Sequence, residues 1–434
     1  MSRPSRPRAS IYTLGCRLNQ SETAIIADTL REAGYTLTPF GEPADLGIIH
    51  TCTVTAEADA KSRKMIRAFV RANPKAFLAV IGCYAELASL DLAEIAGVDL
   101  IIGNHRKLDV LDFVSDAKNA APRIVRDPIA SDEFAIDAPA GPDICRRMNL
   151  KIQDGCDSMC SYCIVPHARG RSRSRAIGNL VQEAERLAER GAREIVLTGV
   201  NVGAYNAGGR TLIDVIDRLN AIRGLARIRI SSIEVSGVLE PFFERMNDAA
   251  HALVPHLHIP LQSGSDAILM LMNRVYTAAQ FRAVVDRAAG AVADLGIGTD
   301  ILVGFPGETE ADFEATCHLL EESPIAYAHV FRYSPRPGTP SAEFPDTVQA
   351  PVLKHRSSAA RHIASEKRRQ FNESHIGRTM TVLFEREEEG RWTGYTGNYI
   401  RVAAPSESDI TNRLCPVVLE KCVGTSVLGG IVSD

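Results

Sequence analysis

No stretch of the 434 residues approaches the roughly 18 consecutive apolar residues that a membrane-spanning helix requires. The apolar run Ile11–Leu14, behind Arg3, Arg6 and Arg8, is far too short for the core of a signal peptide, so the expectation is a cytoplasmic protein. A basic excess is lacking as well. The net charge is −4, so no global field calls for nucleic acid, and any such binding must come from local patches. There is no internal repeat, no long low-complexity tract and no Gly-x-Gly-x-x-Gly fingerprint of a nicotinamide-binding fold. What is present is a 45% hydrophobic, 24% charged chain that can bury a real core, long enough for about three domains. It also carries ten cysteines. In a reducing compartment these read as ligands, catalysts or inert core groups before they read as disulfides.

The N-terminal third alternates short apolar runs with helical patterns, which predicts an α/β domain on a parallel sheet. The strands expected are Ser10–Leu14, Leu46–His50, Phe77–Ile81 and Val98–Ile102, with helices over Ser21–Ala33, Ala56–Ala72 and Ala85–Ala96. Gly34 stands where a left-handed C-cap belongs, and Asn73-Pro74 is a stop signal. Ala120–Pro142, rich in Ala, Asp and Pro, reads as a linker. Strand–helix units then resume, with strands at Met148–Gln153, Glu194–Thr198, Arg227–Ser232, His256–Leu261, Gly298–Val303 and His329–Tyr333. Six such units predict a partial (β/α)6 barrel, whose active site belongs at the carboxyl ends of the strands. A basic helical stretch, Lys354–Phe371, follows. Short alternating strands from Gly377 onward, separated by Gly and Asn turns, predict a small all-β barrel. The expected domains are 9–120, 143–375 and 377–434.

Residues Asp154–Pro166 read DGCDSMCSYCIVP, directly after a strand. Cys156, Cys160 and Cys163 can hold three corners of a cubane iron–sulfur cluster and leave the fourth iron without a protein ligand. That open iron can bind S-adenosylmethionine and pass it an electron, giving methionine and a 5′-deoxyadenosyl radical. The rival is zinc with His167 as fourth ligand. Zinc loops usually carry paired Cys-x2-Cys units, and no second pair exists here.

Cys16, Cys52 and Cys83 are far apart in sequence, yet each follows an apolar strand: IYTLGC, LGIIHTC and AFLAVIGC. Strand ends of a parallel sheet share one edge, so the three can converge. Polar Asn19, Gln20, Thr51 and Thr53 are expected to crowd the same edge. Two readings stand: a second cluster, or three buried structural cysteines.

Taken together, TLGCRLNQSET, HTCTVTAEADAKSRKMIR, GCYAE, KIQDGCDSMCSYCIVPHARGRSRSR, EIVLTGVN, RISSIE, HIPLQSGSD, DILVGFPGET and RYSPRPGTP resemble the methylthiotransferase family of radical S-adenosylmethionine enzymes. Within it the chain is most similar to the branch that modifies threonylcarbamoyladenosine in tRNA, the MtaB type. The resemblance points to that branch through KSRKMIR, Cys-Tyr-Ala, ISSIE and YSPRPGTP, and the β-rich tail looks like the family's TRAM domain. It implies two [4Fe-4S] clusters, one per cysteine triad, with S-adenosylmethionine as the other cofactor. It also implies sulfur insertion and methylation at C2 of the adenine. That C–H bond has no acidic or electrophilic handle, so a radical suits it. Implied partners are the tRNA anticodon loop and an electron donor such as a flavodoxin or ferredoxin. Cys145 departs from the pattern and is expected not to be a ligand.

Gly199 would let backbone approach the methionine amino group, and Asn201, Glu234, Gln262 and Asp300, at or near strand ends, are the other expected cofactor contacts. Strand caps and turns are the alternative for each. Three basic runs are RNA candidates: Lys61, Arg63, Lys64, Arg67 and Arg71; Arg169, Arg171, Arg173 and Arg175; and Lys354, Arg356, Arg361, Lys367, Arg368 and Arg369. The second flanks the chemistry and is the best of them. Trp392, Tyr395 and Tyr399, near Arg391 and Arg401, would either stack bases or pack a core. The rival functions are methylthiolation of isopentenyladenosine in tRNA or of a ribosomal-protein aspartate, and a non-catalytic zinc protein that binds tRNA.

Overall fold

The computed structural model describes residues 6–115, 117–138, 141 and 147–432. Cys145 and the expected domain start at 143 lie outside the described residues. The N-terminal part is a six-stranded parallel sheet of β1 (Arg8–Thr13), β2 (Thr36–Leu37), β3 (Leu46–Thr51), β4 (Phe77–Gly82), β5 (Leu100–Ile102) and β6 (Arg123–Val125), in the order β2-β1-β3-β4-β5-β6. Every residue of β3 and β4 is buried, as expected of central strands covered on both faces. Helix α1 (Arg17–Glu32) covers one face through Ile26 and Leu30. On the other face α2 (Ala56–Ala72) contributes Ile66 and Phe69. Gly34 has φ +88° just past α1, the left-handed turn expected there.

Part of the expected linker is β6, which pairs with β5 through Leu100–Arg123 to Ile102–Val125. Its exposed, short, charge-flanked sequence hides an edge strand that needs burial on neither face. The expected helix Ala85–Ala96 is two short ones, α3 (Cys83–Leu87) and α4 (Ser89–Ala93), broken where Ala88 leaves helical geometry.

The second part begins with β7 (Met148–Lys151), which pairs in parallel with Glu194–Thr198, itself paired with Arg227–Ile230. A second parallel sheet holds His256–His258, Gly296–Val303 and Tyr327–Arg332. A bridge from Ser232 to His258 joins the two sheets, giving an open six-stranded half-barrel in sequential order. One large apolar core lies between its strands and the surrounding helices. Polar aromatics fill part of its interior. Gly298 makes this possible, because a Cβ there would fall 2.2 Å from Tyr327 Cζ and 2.6 Å from His258 Nδ1.

The tail closes into a five-stranded barrel of Thr379–Glu388, Arg391–Thr396, Arg401–Ala404, Leu414–Val423 and Ser426–Ile431. Two of these strands, Arg391–Thr396 and Ser426–Ile431, carry Gly394 and the Gly429-Gly430 pair, glycines that in the sequence alone look like turns. Gly394 and Gly429 allow close strand approach: a Cβ on either would strike carbonyl oxygens of the facing strand, at 2.1 and 2.5 Å. The tail docks on the half-barrel through backbone carbonyls. Arg227 donates to Tyr395 and Thr381, and Arg229 donates to Gly397 and Thr396 while pairing with Glu194 at 2.7 Å.

Candidate active site

Cys16, Cys52 and Cys83 stand at the carboxyl ends of β1, β3 and β4, and the geometry that gathers them is glycine-dependent. Gly15 (φ +93°) and Gly82 (φ +99°) turn the chain sharply into α1 and α3. A Cβ on Gly15 would lie 2.7 Å from Cys52 Cβ, and one on Gly82 would lie 2.7 Å from the Thr51 carbonyl oxygen. Asn19 ties the loops together by donating to the Leu14 and Thr51 carbonyls at 2.8 and 3.1 Å. Thr51 links β3 to β4 through the Ile81 carbonyl. Asn19, Thr51 and Thr53 are buried on this edge as expected, whereas Gln20 is exposed and faces Asn149, because α1 has begun by then and turns it away. Burial pushes the Cys52 thiol up to about 12, with Cys83 and Cys16 adding to it. A thiol desolvated in this way stays protonated unless a metal displaces the proton.

The second triad lies in the loop after β7. Its positions are held from both sides: Cys156 N–H donates to the Gly170 carbonyl at 3.2 Å, and Ser161 bonds the Met272 and Leu271 carbonyls. Burial likewise raises Cys163 to about 12. Arg274 donates to Cys160 Sγ at 3.2 Å and pairs with Glu234. Among the described residues no three His, Cys, Asp or Glu side chains converge as they would on one metal ion. His167 is exposed on α5 (Val165–Arg169), so the zinc arrangement with His167 as fourth ligand does not fit. A four-iron cube takes one thiolate per iron and needs no such convergence, and the buried Cys52, Cys83 and Cys160 suit it.

Around the barrel's upper rim, Asn201 Oδ1 is buried without a hydrogen-bond partner. Gly199 leaves room for Gln153, whose Oε1 accepts from Val200 and Asn201 N–H, both at 2.9 Å. A Cβ on Gly199 would lie 2.8 Å from that oxygen. Gln262 holds φ +68° and is clamped by backbone bonds to Asp300 and Leu302. Asp300 faces His258 Nε2 at 3.0 Å. The loop after the fifth strand is braced from below: Glu308 accepts from Gly304 N–H and pairs with buried Arg356. Arg336, in YSPRPGTP, reaches across to Thr53 Oγ1 at 2.8 Å and Asp59 at 2.5 Å, closing the barrel against the first triad's edge.

Residues 150–320 match the model of the radical SAM superfamily, and residues 8–103 that of the uncharacterized protein family UPF0004. The threonylcarbamoyladenosine tRNA methylthiotransferase MtaB of Bacillus subtilis is 34% identical over 426 residues, covering 95% of this chain and 93% of that protein. Its namesake from Aquifex aeolicus is 33% identical over 402 residues, covering 91% of this chain and 96% of that protein. The chain belongs to this methylthiotransferase family. The fold is also that of solved radical enzymes. The radical S-adenosylmethionine methyltransferase TsrM of Kitasatospora setae superimposes with a TM-score of 0.54 at 15% identity, covering 78% of this chain and 77% of that one. The cobalamin-dependent radical enzyme OxsB gives 0.51 at 12% identity, covering 86% and 56%.

In this methylthiotransferase the basic runs separate by burial. Arg169 and Arg175, expected as RNA contacts from their place beside the Cys156–Cys163 loop, are buried at 2% and 0% exposure. Arg175 pairs with Glu183 and donates to the Lys151 and Ile136 carbonyls. Arg356 is buried, Lys367 caps the carbonyls of Glu321 and Ser323, and Arg369 pairs with Glu366 and Glu373. Trp392 is core. Tyr395 and Tyr399 stack on each other at 5.0 Å with Arg147 over both rings, which favours packing over base stacking. Sequence reasoning missed Arg274 and the buried charges around Arg169, because nothing in a single chain marks which charge of a polar run turns inward.

Proposed function

We propose that the protein is a tRNA methylthiotransferase that attaches a methylthio group at C2 of N6-threonylcarbamoyladenosine beside the anticodon. The observation that carries this is the pair of cysteine triads, one at the ends of β1, β3 and β4 and one after β7, in a chain so similar along its length to enzymes named for that substrate. Those names favour this nucleoside over isopentenyladenosine or a ribosomal aspartate.

In this reading Cys16, Cys52 and Cys83 hold one [4Fe-4S] cluster and Cys156, Cys160 and Cys163 another. When bound, the second supplies the electron that cleaves S-adenosylmethionine. The chain's own residues orient and shield. The unpartnered Asn201 Oδ1 accepts from the cofactor, and Gly199, Gln262 and Asp300 line the rim. Glu234 acts through Arg274, which steadies Cys160. The functional units are those expected at 9–120, 143–375 and 377–434, the first extended to Val125 by β6, with a flavodoxin or ferredoxin as electron donor in the cytoplasm. Mass spectrometry of tRNA nucleosides from a deletion strain tests the reading. Loss of methylthio-threonylcarbamoyladenosine supports it, and an unchanged nucleoside profile refutes it.

A further inference from the structure

Between the two triads lies a buried cluster of five charges. Glu22 and Asp154 are fully buried, and Lys107, Lys151 and Arg169 are 1%, 5% and 2% exposed. Lys107 and Lys151 each stand 2.7 Å from Glu22, Lys151 is 2.6 Å from Asp154, and Arg169 lies 3.2 Å from Glu22 and 2.9 Å from Asp154. His50 Nε2 lies 3.5 Å from Glu22 on the sheet side of the cluster. The five carry one positive charge in excess, and Arg173 at the edge adds another. Burying uncompensated charge is expensive, so an unbalanced cluster of this kind requires an anion nearby.

Its hydrogen bonds lead to all three cysteines of the first triad. Arg169 Nη2 donates at 2.6 Å to Asn19, which in turn holds the carbonyls of Leu14 and Thr51, just before Cys16 and Cys52. Asn104 donates to Cys83 Sγ at 3.5 Å and to the Ala168 carbonyl at 2.6 Å, and its oxygen accepts from Lys107 at 2.8 Å. Arg169 itself ends α5, six residues after Cys163, so one short segment of chain runs from the second triad to the first.

Resting on the two-cluster reading, we propose that Arg169 and Lys107 are positioning residues for the cluster held by Cys16, Cys52 and Cys83. They supply its counter-charge and make its reduction potential less negative. A cube bound by three thiolates is anionic, and more so when reduced, so nearby positive charge favours the reduced form. A purely structural clamp between the sheet and the barrel would have no such dependence on the sign of the charge.

The test uses the full chain with Cys156, Cys160 and Cys163 changed to Ala, reconstituted anaerobically with iron and sulfide, then iron counting and a potentiometric titration read by electron paramagnetic resonance. About four irons per chain keeps the premise. No iron removes the two-cluster reading, and the inference with it, before any potential is read. Given the irons, Arg169→Gln is expected to move the midpoint to more negative values, Glu22→Gln to less negative values, and Arg169→Lys to stay near the parent. If Arg169→Gln fails to load, Lys107→Met replaces it with the same expected direction. Midpoints that do not move, or that move the same way when a cation and an anion are removed, overturn the inference.

Discussion

Arg274 places one guanidinium nitrogen 3.2 Å from Cys160 Sγ while another pairs with Glu234, so a residue expected to touch the cofactor is joined to a proposed cluster ligand through a single side chain. Outer partners of metal ligands typically contribute 10–100-fold to metal affinity or activity. Arg274→Met should therefore lower 5′-deoxyadenosine formation by about 10–100-fold. Glu234→Gln, which leaves Arg274 its contact with Cys160, should lose less. Comparing the two rates at equal iron content checks this. Equal losses would mean that Glu234 has a role of its own.

The two triads should be separable. Full-length protein reconstituted without oxygen is expected to hold about eight irons, and Cys16→Ala or Cys83→Ala about four. These variants should still cleave S-adenosylmethionine but form no methylthiolated nucleoside. Cys160→Ala should lose both activities. Iron analysis, 5′-deoxyadenosine assay and nucleoside mass spectrometry read the three properties independently. Cleavage lost in Cys16→Ala would contradict the division of labour.

Much of this architecture was legible because periodicity and strand-end placement are local signals. The apolar runs that end in Cys16, Cys52 and Cys83 mark buried parallel strands, and a parallel sheet puts strand ends on one edge. Weak edge strands were illegible: β6 is a three-residue strand with two exposed positions. So was the fate of alternating arginines. In Arg169–Arg175 the inward or outward choice depends on Glu22, Glu183 and Asn179, residues that only the fold brings near. Asn201, picked from a strand-end loop, shows its open oxygen only in three dimensions.

Acid should loosen the barrel interior through His256. Burial first, then Arg229 and His258, hold its pKa well below the ordinary histidine value, and its Nε2 lies 2.9 Å from the Tyr327 hydroxyl. The unfolded chain thus takes up a proton near pH 6.5 that the folded chain refuses. Below that pH the unfolded state binds more protons, so stability falls as pH drops from the histidine range towards the depressed folded value. Urea unfolding of metal-free protein between pH 7 and 5 should show this slope. His256→Gln should reduce it, leaving the share of His50 and His329, which burial also lowers, and an undiminished slope would assign it to those groups alone.

The basic runs offer a sharper contrast. On α2, Lys61, Lys64, Arg67 and Arg71 are exposed, fall within one face of the helix, and make no hydrogen bond or ion pair among the described residues. Each is free to neutralise a phosphate. Lys64→Ala with Arg67→Ala should weaken tRNA binding and reduce the slope of log affinity against log salt by about two, with melting temperature unchanged. Arg175→Ala should do the opposite. It leaves Glu183 buried without its cation and removes donors from the Lys151 and Ile136 carbonyls. A broken buried pair costs about 3–5 kcal/mol, so the expected result is a large loss of stability, and tRNA binding by the fraction still folded should keep its salt slope. Filter binding across a salt series, beside thermal melts, distinguishes the two. If Arg175→Ala instead changed the salt slope in a normally folded protein, the buried arginine would have to reach RNA, and the separation of these runs by burial would be wrong.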